Sequence, residues 1–129
     1  MSSRISVLVV DDHQDSRVRL VEALLQHGFE VDEAENGTKA ASKIKREAFD
    51  VVITNISMPH GNGIELLNKV KKLNAQIRVF LMSDYPDLYA EYQGFELADA
   101  VFRKPVDLVE VVRAVQKGSG PVVVSSLVA

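Results

Sequence analysis

Cysteine is absent from the 129 residues, which removes a disulfide framework, a thiolate nucleophile and any Cys-based metal site, and suits a reducing compartment. Basic charge is not in excess either. The formal net charge is −3, so no general electrostatic attraction to nucleic acid or anionic lipid is expected. No apolar run approaches membrane-spanning length. The N-terminus passes from Met1-Ser-Ser-Arg straight into a strand-like stretch, with nothing resembling a signal peptide. A soluble cytoplasmic domain is the expectation. Internal repeats are missing, and so is any linker before residue 118. What remains is 47% hydrophobic and 26% charged, ordinary for one globular domain long enough to bury a core.

The most informative stretch is 49–55, Phe-Asp-Val-Val-Ile-Thr-Asn, a short apolar run that stops at Asn55. Turn signals on both sides make it a fully buried strand, followed by a Pro-, Gly- and Asn-rich loop from Ile56 to Gly63. Residues 5–10 form an earlier buried strand that ends on Asp11-Asp12. Val18, Val21 and Leu25 then recur at helical spacing, and Gly28 is a natural stop. Residues 29–34 read as a short strand, and Asn36-Gly37 opens a helix with Ala40, Ala41, Ile44 and Ala48 on one face. Leu66, Leu67, Val70 and Leu73 mark a third helix. Residues 77–82 form a strand ending on Ser83-Asp84. Leu88, Tyr92 and Phe95 suggest a fourth helix, interrupted by Gly94, with Tyr92 facing inward. Ala100-Val101-Phe102 is a short strand before Lys104-Pro105. Asp107 and Glu110 form a capping box for a last helix with Leu108, Val111, Val112 and Val115 inward.

Strand and helix alternate five times, which predicts an α/β fold with a parallel sheet, right-handed crossovers and helices on both faces. The carboxyl ends of such strands share one edge, where chemistry is done. Asp11, Asp12, Asn55, Ser83, Asp84 and Lys104 gather there by position alone. Adjacent carboxylates suit Mg²⁺ with several retained waters. A hydroxyl and an ammonium suit the oxygens of a phosphoryl group. A nucleophile is the missing part. Taken alone, Asp11-Asp12 could equally open a turn and cap the next helix. His13, His27 and His60 lack metal-ligand spacing and read as exposed polar residues.

Asp11-Asp12, the Asn55-Ile-Ser-Met-Pro-x-Gly-x-Gly stretch, Ser83 and Lys104-Pro105 together resemble the receiver domain of two-component response regulators. The resemblance spans roughly residues 4–117, so residues 1–117 are expected to be a receiver-like domain and 118–129 an apolar C-terminal tail. It implies a doubly wound, flavodoxin-like sheet of five strands in the order 2-1-3-4-5. It implies Asp11 and Asp12 as the acidic Mg²⁺ pair, with Asp12 the direct ligand and the Ser57 carbonyl a further contact. Ser83 and Lys104 become the phosphoryl-binding residues, and the Lys104-Pro105 bond can be cis. The implied partners are a sensor histidine kinase or phosphotransfer protein and a downstream effector, the latter engaged through the fourth helix, fifth strand and last helix. Whether the chain forms a homodimer stays open.

Three departures qualify the match. The phosphoacceptor position holds Asn55, whose amide is neither ionised nor nucleophilic but whose oxygen can ligate a metal weakly. Mg²⁺ is therefore expected to bind weakly or not at all. The residue after the hydroxyl is Asp84, which narrows access, adds charge at the rim, or pairs with Lys104. The aromatic switch position holds Val101, with Phe102 one place later, which puts the usual hydroxyl–aromatic coupling in doubt. The leading expectation is a phosphorelay-type, atypical receiver that binds a partner and turns over no substrate. The first competitor is an ordinary phospho-accepting receiver in which Asn55 is an introduced substitution. A third, an Mg²⁺-dependent phosphatase or nucleotide binder, lacks a phosphate-cradling Gly-rich loop after its first strand. The tail is read as a frayed end, an added strand, or a degradation signal. No DNA-binding helix pair is seen past residue 117, so the expected output is protein binding.

Overall fold

The central strands are apolar on both faces because helices cover both. The computed structural model describes residues 4–118 and the backbone of residues 123–125. Strands β1 (Ser6–Val10), β2 (Glu30–Ala34), β3 (Val51–Asn55), β4 (Arg78–Ser83) and β5 (Ala100–Arg103) are all parallel, in the expected order 2-1-3-4-5. A sixth strand, β6 (Val123–Ser125), extends the sheet beside β5 with Ala100 in register with Val123. That is the strand-addition reading of the tail. Its residues 119–122 and 126–129 lie outside the described residues, and so does the degradation-signal reading.

Alternation sorts the core into two layers. Leu8, Val10, Val52, Val79, Leu81 and Val101 pack under α2 (Gly37–Arg46) and α3 (Gly63–Leu73). Val7, Val9, Val51, Ile53, Phe80, Met82 and Phe102 pack under α1 (Gln14–Gln26) and α4 (Leu108–Lys117). No described helix is long and apolar enough to cross a membrane.

Several local expectations change. On α1 the buried pair is Leu20 and Leu24, with Val21 half-buried, while Leu25 is 53% exposed and Val18 also faces out. Helix α2 stops at Arg46, leaving Ala48 exposed beyond it, and Leu73 at the end of α3 is exposed as well. The expected fourth helix does not form. Residues Pro86–Tyr89 and Phe95–Leu97 make two 3-10 turns instead. Gly94 between them has φ +92°, outside helical space, and a Cβ there would lie 2.2 Å from Asn68 Oδ1. Asn68 of α3 donates to the carbonyls of Ile64 and Gln93, pinning the segment to α3.

Three anchors fix the helices that flank the site. Asn62 caps α3 through Ile64 N and Glu65 N, and Glu65 returns a bond to Asn62 N in a full capping box. Asp107 caps α4 through Val109 N and Glu110 N. At the far end of α4, Arg78 donates to the carbonyls of Ala114, Val115 and Gly118. Burial pushes the Arg78 guanidinium down from its ordinary value, but an arginine stays charged at any working pH.

The start of α3 is packed so closely on the end of β3 that a Cβ on Gly63 would lie 2.0 Å from the Asn55 carbonyl oxygen. Gly63→Ala is therefore expected to cost about 3 kcal/mol in urea denaturation, because the three nearest atoms, Asn55 O, Asn55 C and Ile56 Cα, are backbone and none can swing aside. A second expectation concerns acid. Burial pushes the Asp32 carboxyl up, yet the Lys43 hydrogen bond, the Glu33 amide and the charges of Lys43 and Arg46 outweigh it and hold it below 3.8. A lowered folded value means stability that is present above the unfolded value and lost as pH falls through the folded one. Asp32→Asn should flatten that part of the acid limb in unfolding curves taken from about pH 6 downward.

Candidate functional site

Strand parity delivers the site. Asp11, Asn55 and Lys104 continue, by steps of two, the rows Val7–Val9, Val51–Ile53 and Ala100–Phe102 that face α1 and α4. They meet where the strands end. Asn55 Nδ2 donates to Asp11 Oδ1 at 2.8 Å and to Asp12 Oδ1 at 3.1 Å. Lys104 Nζ donates to Asn55 Oδ1 at 2.9 Å and lies 3.4 Å from Asp11 Oδ2. Asp11 and Asn55 are almost fully buried, so each donor counts. Only one orientation of the amide works. Turned over, it would set its oxygen against two carboxylates and its NH2 against an ammonium.

The neighbouring chain is tied to the same edge. His13 N donates to Asp11 Oδ1, and Arg17 donates to the Asp11 carbonyl while its Nε pairs with Glu33 at 2.7 Å. Lys104 N donates to the Ser83 carbonyl, joining the ends of β4 and β5, and Ser83 Oγ accepts from Tyr85 N. The Lys104-Pro105 bond is cis, with Pro105 exposed. A cavity of about 430 Å³ opens over this edge, and Asp12, Asn55, Ser57, Ser83, Asp84 and Lys104 all line it.

Six of the residues expected at the site thus share one cavity. Asp84 does so without pairing with Lys104: its side chain is exposed, no ion pair joins the two among the described residues, and Lys104 is turned to Asn55 and Asp11. Val101 and Phe102 are both buried but on opposite faces of the sheet. Phe102 packs against Phe80, ring centroids 5.9 Å apart, under α1 and α4. It cannot replace an aromatic at Val101.

Two residues escaped the sequence reading. Tyr89, not Tyr92, is the tyrosine that turns inward: it lines the cavity and packs on the layer that holds Val101, with its ring 5.2 Å from Tyr92. Tyr92 is half exposed. Helical spacing misled there, because the segment turns with a period of three. His13 is exposed as expected, but its Nδ1 lies 3.6 Å from Asp12 Oδ1 and 3.9 Å from Asp11 Oδ1. Its adjacency to the acidic pair in sequence was the available signal.

The chain matches the family described as response regulator receiver domain over residues 7–116. It is 33% identical over 112 residues to sporulation initiation phosphotransferase F of Bacillus subtilis, covering 86% of this chain and 90% of that protein. It is 40% identical over 78 residues to the chemotaxis protein CheY of the same organism, covering 60% and 65%. The sensor protein EvgS of Escherichia coli matches over 80 residues at 32% identity, 62% of this chain but 7% of that one. Among solved structures, response regulator TrrA of Thermotoga maritima in complex with Mg²⁺-BeF superimposes with a TM-score of 0.80 at 32% identity, covering 88% of this chain and 97% of that one.

The bridging amide makes a stability prediction that needs no ligand. Asn55→Asp replaces the donor between Asp11 and Asp12 with a third carboxylate, so with chelator present it should destabilise by about 2 kcal/mol. Thermal melts in EDTA at neutral pH check this.

Proposed function

The chain belongs to the response regulator receiver domain family, and we propose that it is an atypical member, not phosphorylated at Asn55, that signals by binding a protein partner. The observation that carries this is the amide bridge. Asn55 stands at the end of β3, where the resemblance places the acceptor aspartate, and its carboxamide cannot attack phosphorus to leave an acyl phosphate. Its NH2 holds both acidic side chains, and its oxygen holds the lysine. An amide in this orientation donates hydrogen bonds to the carboxylates and accepts one from Lys104, occupying groups that a cation and a phosphoryl group would otherwise engage.

Mg²⁺ fits this arrangement poorly. Asp11, Asp12 and the Ser57 carbonyl offer the hard oxygens that such an ion takes. Asn55 presents N–H donors to the same carboxylates, and turning its oxygen to a cation would set its NH2 against Lys104. Bound weakly, the ion would supply only charge neutralisation between those oxygens.

Receiver domains work with histidine kinases or phosphotransfer proteins on one side and with effectors on the other. For this chain, in the cytoplasm, we assign effector binding to the face formed by residues 85–97, β5 and α4. Tyr85, Leu88, Tyr92, Leu97 and Val109 are large apolar residues exposed there, and their number supports a protein contact. A second reading has one observation in its favour. Ser83, Lys104 and Asp12 still line an open cavity, as expected of a phospho-accepting receiver in which Asn55 is an introduced substitution. The natural codon at position 55 separates the two.

The functional test is Mg²⁺ with beryllofluoride, read by amide NMR on this chain and on Asn55→Asp. The expected result is no shift for this chain, and for the variant a shift of signals around Val101–Phe102 and along 85–97. Equal shifts in both proteins would overturn the proposal. Silence in both would mean that Val101, and not the amide alone, has uncoupled the switch.

A further inference from the structure

A second cavity shares no lining residue with the one over Asn55. It is a groove of about 280 Å³ between α2 and α3, floored by Ala41, Ile44, Leu66 and Val70 and lengthened by the exposed Leu73. Its ionisable lining is Lys45, Lys69 and Lys72, all exposed, with no carboxylate among them. That is against the trend of a chain with 15 basic and 18 acidic residues. Their neighbours behave differently. Lys43 of α2 pairs with Asp32, and Lys71 of α3 pairs with Asp99, each pair half-buried. Lys45, Lys69 and Lys72 have no ion pair among the described residues.

Lysines near helix C-termini gain from the helix dipole, which explains their charge but not the apolar trough between them. A dry floor with cations on its rim is the complement of an amphipathic helix whose apolar ridge is flanked by carboxylates. A bilayer surface would need a flat or convex basic face, and a nucleic acid would gain nothing from an aliphatic floor. From this charge complementarity we infer that the α2–α3 groove is a docking site for an acidic amphipathic helix of a partner protein, anchored by one or two aliphatic side chains. The site stands apart from the strand-end pocket and does not rest on the state of Asn55.

The probe is a fluorescein-labelled peptide of Glu, Ala and Leu, with leucines at i, i+3, i+4 and i+7. It is titrated by anisotropy and by amide NMR against the full chain. Saturable binding should shift the signals of Ala41, Ile44, Val70 and Leu73 and weaken with salt. The triple variant Lys45→Ala, Lys69→Ala, Lys72→Ala should lose about tenfold in affinity, the sum of three rim ion pairs. Its thermal midpoint should stay near that of the parent, because all three side chains are exposed. A Lys and Leu peptide of the same pattern should not bind. Absence of saturable binding to millimolar peptide, shifts confined to residues 85–97, equal affinity in the triple variant, or preferential binding to phosphatidylglycerol vesicles would each overturn the inference.

Discussion

A buried carboxylate, Asp11, beside a half-buried one, Asp12, needs positive charge or hydrogen-bond donors, and the strand edge of this protein is arranged around that need. Asp11 and Asp12 draw on Asn55, Asn55 draws on Lys104, and Lys104 is placed by the hydrogen bond from its amide to the Ser83 carbonyl at the end of the neighbouring strand. Among the described residues no buried side-chain nitrogen or oxygen is left without a partner. A satisfied network of this kind is stiff: any rearrangement must break one bond before it makes another. The same side chains in a phospho-accepting receiver would sit as a cluster of like charges waiting for a cation. Here Asn55 adds no charge of its own and donates to both carboxylates.

The neighbourhood of that amide is equally constrained. Gly63 gives α3 its close approach to the Asn55 carbonyl, and the Asn62–Glu65 capping box fixes the direction in which α3 leaves. The loop from Ser57 to Asn62 must therefore return within a short span, and the His60 carbonyl takes the Gly37 amide as it does so. Cavity, loop and helix start form one unit. The α2–α3 groove lies outside this unit, so a partner there and a change at Asn55 act on different parts of the molecule.

Most of the fold was legible in the sequence because buried strands between turn signals and strand-end polar residues are local patterns. Asp11, Asp12, Asn55, Ser83 and Lys104 could be placed on one edge from their position at the strand ends alone. The exceptions have specific causes. The 85–97 segment carries apolar residues at helical spacing, but Pro86 and a left-handed Gly94 impose turns of period three, which exchanges Tyr92 for Tyr89 as the inward residue. On α1 two apolar stripes compete, and only the packing of Leu20 and Leu24 against β1 and β3 decides between them. Whether Asp84 or Asn55 would engage Lys104 depended on side-chain reach, which a sequence does not carry.

Helix α4 also has a mechanical character. Its C-terminal end is gripped by Arg78 through three carbonyls, while its N-terminal end hangs from the Asp107 cap just past Lys104-Pro105. That makes the helix a lever hinged at the end remote from the pocket. Ten residues span about 15 Å, so a tilt of about 5° about the Arg78 grip displaces the first turn by about 1 Å and the last hardly at all. A tilt about that grip would therefore be widest at the exposed Val109 and smallest at the buried Val115.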